Sequence, residues 1–205
     1  ERGIYFVVDA MQGLGGATLD ARACCIDILA CGGQKWLLSP WGSGFAYVRR
    51  ELIREIEPEA VGWMAMRASE DFTRLVDYEF AFHEDARRFE VITVPFQDFA
   101  GFNASVDLLL TLGLEQVAAH DAALVQLAVD WAGTRKDMRL VTPADPARRA
   151  AIVCIAPPDP AAASRRLAKA HVIHSVREGA IRLSPHCYNT RDEMVRALEI
   201  LGATD

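Results

Sequence analysis

The stretch "DILACGGQKWLLSPWGSGFAYVRRE", residues 27–51, decides how the chain is read. "IDILACGG" (26–33) reads as a buried strand of a parallel sheet, and "GSGFAYVRRE" (42–51) as a further strand that ends in charge. Between them stands Lys35, directly before Trp36, Leu37 and Leu38. A lysine usually lies where its ammonium can reach water. One set among apolar residues just past a strand therefore asks for a purpose.

Upstream, "GIYFVVDA" (3–10) is an unbroken run of β-branched and aromatic residues, expected to be a fully buried strand. "TLDARACC" (18–25) then reads as a short helical crossover, with Cys24 and Cys25 as helix-packing residues. Strand, crossover and strand within about 30 residues is the size of a βαβ unit. Downstream, the stretch from Pro58 to Arg87 has mixed periodicity and reads as irregular. From Gln97 the pattern turns helical, and Gly113 breaks "FNASVDLLLTLGLEQVAAHDAALVQLAVDWAG" (102–133) into two helices. Shorter elements follow: strands in "MRLVTP" and "AAIVCIAP", a helix near Asp159, a hairpin around Glu178-Gly179, and a last helix with Thr190 as N-cap and Glu193 completing a capping box. The fold class expected is α/β: a partial large domain with a mostly parallel sheet and connecting helices over residues 1–134, then a small α/β domain over 135–205.

Composition narrows the function. The 205 residues are 51% hydrophobic and 24% charged, with a net charge of −6, and lysine and arginine do not cluster on one face. Nucleic acid and membrane are therefore poor partners, and the longest apolar runs are strand-length. Five cysteines without a paired CxxC suit reduced thiols and a cytoplasmic setting. The five histidines lack zinc spacing, with His171 and His174 expected on opposite faces of a strand start, so no metal site is expected. The chain opens on "ERGIYFVVDA", close to a strand and without an initiator Met, which leads to the expectation that an upstream part is missing.

Asp9 closes the first strand and Lys35 follows the next, so both are expected at one edge of the sheet, where open parallel sheets bind ligands. An apolar setting disfavours an ammonium, and a neutral amine attacks carbonyls. An amine and a carboxylate on one edge fit a pyridoxal phosphate site. A snorkelling lysine and a turn-capping aspartate account for the same spacing.

Four blocks in order, "VDAMQGLG" (8–15), the stretch around Lys35, "RFEVITVPFQ" (88–97) and "VREGAIRLSPHCYNT" (176–190), resemble the class V aminotransferase family of fold-type I pyridoxal-phosphate enzymes. The resemblance implies that Asp9 pairs with the pyridine nitrogen of pyridoxal 5'-phosphate, Gln12 reaches its phenolic oxygen, and Lys35 forms the Schiff base. It implies that Thr93 reaches the cofactor phosphate of a neighbouring subunit in a homodimer, and that Arg182 holds the carboxylate of an amino-acid substrate. Gln34 and Gly32 stand where the desulfurase branch has a histidine and a serine; Gln34 can still donate a hydrogen bond to the phosphate, whereas Gly32 cannot. The nucleophilic cysteine of many desulfurases has no counterpart shortly before Arg182, which disfavours sulfur abstraction. The activity implied is transamination, with epimerisation or elimination as alternatives, and with a catalytically incomplete fragment as the reading from outside enzymology.

Overall fold

Three short strands form the first sheet in the computed structural model, which describes residues 3–73, 76 and 80–203. The strands β1 (Val7–Asp9), β2 (Ile28–Gly32) and β3 (Gly44–Val48) lie side by side in that order. β1 runs parallel to β2, with Asp9 beside Ala30, whereas β3 runs antiparallel to β2, with Gly32 beside Gly44. Asp27, buried just before β2, stitches all three together. Its carboxylate accepts from the Phe6 N–H at 2.7 Å and meets Arg49 at 3.1 Å, and its carbonyl accepts from the Arg49 N–H.

One face of this sheet is covered and the other is not. Leu29 and Cys31 point to the covered face and are buried, with Trp36, Leu37, Leu52 and Ile53 also in the core. On the other face lie Val7, Asp9, Ala30 and Ala46, all exposed. This corrects the reading of residues 3–10 as a fully buried strand. Only Val7–Asp9 are strand, and Ile4, Tyr5, Phe6 and Val7 are exposed, because β1 is the sheet's edge and nothing among the described residues covers that face.

The expected crossover helix is also absent: residues 18–20 have no regular structure and 21–25 form turns. The Asp20 carboxylate accepts from the Arg22 and Ala23 N–H groups, giving the backbone an alternative to helical hydrogen bonds, and Cys25 takes a positive φ of 53°. Cys24 and Cys25 are accordingly exposed, and do not pack a helix. The described residues of 58–87 are irregular, as their periodicity indicates, apart from a 3-10 turn at Trp63–Ala65, the start of another at Ala86–Phe89, and a bridge between Met66 and Phe82. Residues 74, 75 and 77–79 of that stretch, and the opening pair 1–2, lie outside the described residues.

The helices α1 (Phe96–Leu112) and α2 (Leu114–Gly133) flank the break at Gly113. The chain divides into two compact units, Glu1–Leu14 with Leu19–Leu108, and Gly15–Thr18 with Leu109–Asp205, so the helical stretch is shared between them. The second unit holds an antiparallel sheet, β4 (Arg139–Leu140), β5 (Val153–Ala156), β7 (Ala180–Leu183) and β6 (Ser175–Arg177) in spatial order, with α2, α3 (Pro160–Lys169) and α4 (Arg191–Leu201). Its core joins Leu124, Val125 and Ala128 of α2 to Val153, Ile155, Leu167, Ile181, Leu198 and Leu201. The predicted caps are present. Asp159 accepts from the Ala162 N–H, Thr190 and Glu193 form the capping box, and Glu178 and Gly179 both have positive φ in the β6–β7 turn. His171 and His174 precede β6 and are not part of a strand. His174 Nδ1 meets the Val172 carbonyl and its Nε2 meets the Ser164 hydroxyl at 2.7 Å, a structural tie to α3.

Candidate active site

The turns that follow β1 and β2 leave the same edge of the sheet, because the two strands are parallel. They also touch. The Trp36 indole N–H donates to Gln12 Oε1 at 3.3 Å, and a Cβ placed on Gly32 would fall 2.5 Å from both Met11 Cε and Gln34 Oε1. Asp9, Gln12, Gln34 and Lys35 therefore belong to one small region at the carboxyl edge of β1 and β2.

Each loop is held in shape by the chain itself. Asp9 Oδ1 accepts the Met11 N–H at 2.9 Å, so the turn-capping reading of this carboxylate is borne out and stands beside its chemical one. The loop carrying Lys35 is closed at its neck by the Gly33 N–H to the Ser43 carbonyl and by the Ser39 N–H to the Gly33 carbonyl, both 2.9 Å. Within it, the Leu38 N–H returns to the Lys35 carbonyl, Leu38 takes a φ of 56°, and the Ser105 hydroxyl of α1 donates to the Leu38 carbonyl. Trp36 and Leu37 are buried, 5% and 8% exposed, and anchor the turn, while Lys35 between them and Gln34 is exposed. The apolar surroundings expected for Lys35 are thus those of its neighbours and not its own.

Thr93 is exposed in the segment between Phe89 and α1. That segment is fixed at Gly62, where an added Cβ would come within 1.6 Å of the Val91 carbonyl oxygen, so backbone meets backbone there and only glycine fits. Arg182 belongs to the second unit. It is half-buried on β7, opposite Cys154 of β5 and Ser175 of β6, in an interior strand and not at a hairpin surface.

Two of the thiols are held up in pKa by their surroundings. Burial, with the Asp9 carboxylate added, pushes the Cys31 thiol up, and it donates to the Ala10 and Gly32 carbonyls. Burial and the Asp121 carboxylate push Cys187 up in the second unit. Among the described residues no group of three or more His, Cys, Asp or Glu could hold a metal ion, and no single helix is long and apolar enough to cross a membrane.

Sequence reading missed a buried pair in the second unit. Asp121 of α2 has no exposure and His186, after β7, has 3%, with Oδ2 and Nδ1 3.6 Å apart. The signal was present: Asp121 interrupts an otherwise apolar stripe of Val117, Leu124, Val125 and Ala128 at helical spacing.

An exposed amine, a carboxylate and two carboxamides thus lie on the turns at the carboxyl edge of a parallel strand pair, in an α/β frame. The family profile described as Aminotransferase class-V matches residues 1–197, and the chain belongs to that family. It is 32% identical over 202 residues to the protein named uncharacterized aminotransferase YcbU of Bacillus subtilis, a match covering 98% of this chain and 52% of that protein. It is 31% identical over 144 residues to a cysteine desulfurase of Haloferax volcanii, covering 70% and 32% respectively. Among solved structures, the apo cysteine desulfurase from Thermococcus onnurineus NA1 aligns with a TM-score of 0.83 at 24% identity, over 97% of this chain and 52% of that one. The chain spans about half the length of the Bacillus relative, and less of the Haloferax one.

The donor set fits pyridoxal phosphate: a carboxylate for a pyridinium N–H, an amine for the aldehyde, and amide donors for the phenolic oxygen and phosphate.

Proposed function

We propose that this chain carries the lysine-bearing part of a pyridoxal-phosphate-dependent enzyme that acts on an amino acid, with transamination as its reaction. The observation that carries the reading is the contact between the Asp9 turn and the Lys35 loop at one sheet edge, seen in the Gln12–Trp36 hydrogen bond. The family membership supports it. The bound cofactor supplies a protonated ring that stabilises negative charge at the amino acid's Cα. Asp9 would accept the hydrogen bond of the pyridine N–H and so favour the proton on that nitrogen. Gln12, whose Oε1 accepts from the Trp36 indole, would donate through its amide to the phenolic oxygen. Lys35 would hold the cofactor through its Nζ, and the same amine would serve as the base for the proton at the substrate's Cα. Gln34 and Thr93 donate to the phosphate, Thr93 toward the other subunit of a homodimer, and Arg182 holds the substrate carboxylate with its guanidinium fork. The setting is the cytoplasm, in keeping with five free cysteines.

The raised thiols of Cys31 and Cys187 favour chemistry at Cα over sulfur transfer through a protein thiol. A second reading, that the chain by itself is catalytically incomplete, is favoured by the exposed sheet face on which Asp9 lies.

The test is a cofactor titration followed by absorbance, on the chain and on the protein expressed from its complete reading frame. Lys35→Ala is expected to remove the long-wavelength band of covalently held cofactor, and Arg182→Ala to weaken amino-acid binding while that band stays. A band unchanged in Lys35→Ala ends the reading. A band present only in the longer protein selects the incomplete-chain reading.

A further inference from the structure

Asp121 raises a problem of charge. It lies in the core of the second unit with no exposure, and neither carboxylate oxygen has a hydrogen-bond partner. An ionised, unpartnered carboxylate in that setting is costly. His186 does not resolve the cost as it stands. The Cys187 N–H donates to His186 Nδ1 at 2.6 Å, so in this arrangement that nitrogen presents its lone pair. Asp121 Oδ2 is 3.6 Å from the same Nδ1. A carboxylate facing a lone pair gains nothing, whereas a protonated carboxyl there is neutral and at ease.

We propose that Asp121 and His186 hold a single proton between them, and that this proton latches α2 to the segment 186–189 and so positions the end of β7 that carries Arg182. With the proton on Asp121, His186 keeps the Cys187 N–H. With it on Nδ1, the imidazolium meets the carboxylate and the Cys187 N–H gives way. Either arrangement is compact, and only loss of the proton leaves a bare charge in the core. The segment is built to respond as a unit. The His186 N–H donates to Asn189 Oδ1, the Asn189 N–H to the His186 carbonyl, and His120 Nε2 of α2 meets the Asn189 carbonyl at 2.9 Å. Thr190 then starts α4.

The groups that face Asp121 support the assignment. Its charge is felt by His186 from the segment and His120 from its own helix, and it acts in turn on the Cys187 thiol. The elements packed on α2 contribute buried apolar residues, Met194, Ala197, Leu198 and Leu201 from α4 and Val153 and Ile155 from β5, while β4 brings Arg139, which is exposed. Burial pushes the Asp121 carboxyl up to about 6, with His186 and His120 opposing. A folded value above the ordinary carboxylate one means that this group stabilises the fold fully at pH below about 4, and that the contribution fades as pH rises through about 6. The link from the latch to substrate rests on the reading of Arg182 given above; the latch itself does not.

The experiment is an NMR titration of the chain from pH 4 to 8, following the Asp121 carboxyl carbon and the His186 ring nitrogens, which needs no variant to fold. The expected result is that the Asp121 carboxyl reports a step near 6, and that the His186 ring nitrogens and the amides of Cys187 and Asn189 shift with it. An Asp121 that titrates alone near 4, with His186 indifferent, overturns the proposal. Asp121→Asn is expected to remove that step at His186 and to flatten the fall of Tm between pH 4 and 7; a step and a slope that persist also overturn it. If the step is present but Arg182→Ala leaves amino-acid binding unchanged, the latch stands and the reading of Arg182 falls.

Discussion

Lys35 and Asp9 show what a residue's type and position reveal and what they conceal. Their common edge was legible, because a carboxylate at the end of one strand and an amine after the next can be counted off the chain. The exposure of Lys35 was not, because Trp36 and Leu37 take the buried places and the turn sends the lysine outward. Asp9 caps its own turn through Met11, and the proposed function gives the same carboxylate to a pyridine N–H. Asp9→Asn keeps the shape and the cap but not the charge. It is expected to weaken cofactor binding roughly ten- to hundredfold, the worth of a hydrogen bond to a charged group. Equal affinity in an absorbance titration would remove Asp9 from the site. Asp121 teaches the converse. Its helical register placed it on a buried stripe, yet a polar residue in such a stripe draws notice only when the core is known.

At the scale of elements, periodicity served wherever local chemistry agreed with it. The paired helices about Gly113, the α3 cap at Asp159, the β6–β7 turn and the capping box of α4 all formed where residue pattern and terminal residues point the same way. It failed at residues 18–25, where Asp20 captures backbone N–H groups that a helix would need. It could not give β3 its antiparallel direction, since an apolar run reads alike both ways. Two changes test these accounts by urea unfolding. Thr190→Ala removes the acceptor for the Glu193 N–H and is expected to cost about 1 kcal/mol. Gly62→Ala forces a Cβ against the Val91 carbonyl and is expected to cost about 1–3 kcal/mol, with loosening of the Thr93 segment seen as faster amide exchange. A neutral Gly62→Ala would mean that this segment is not held there.

For the molecule as a whole, the open sheet face is the feature that sequence could not supply. Residues 3–10 have the composition of a buried strand, and composition records the surroundings a segment is made for, whereas exposure depends on what covers it. The chain spans about half of its Bacillus relative, and the apolar side chains of Ile4, Phe6 and Val7 remain on view. The chain alone is therefore expected to bind a hydrophobic-surface dye, and Val7→Glu to lower the signal; a dye signal at the level of a closed domain would contradict this. The central claim is that Lys35 is the residue to which pyridoxal phosphate becomes attached. The sequence has three lysines, Lys35, Lys136 and Lys169, and all are exposed, so accessibility alone would label them alike. The direct measurement is borohydride reduction of the protein, expressed from its complete reading frame and loaded with pyridoxal phosphate, followed by peptide mass spectrometry. The account predicts one phosphopyridoxyl increment, on the peptide containing Lys35; an increment shared among the three lysines, or absent from Lys35, would contradict it.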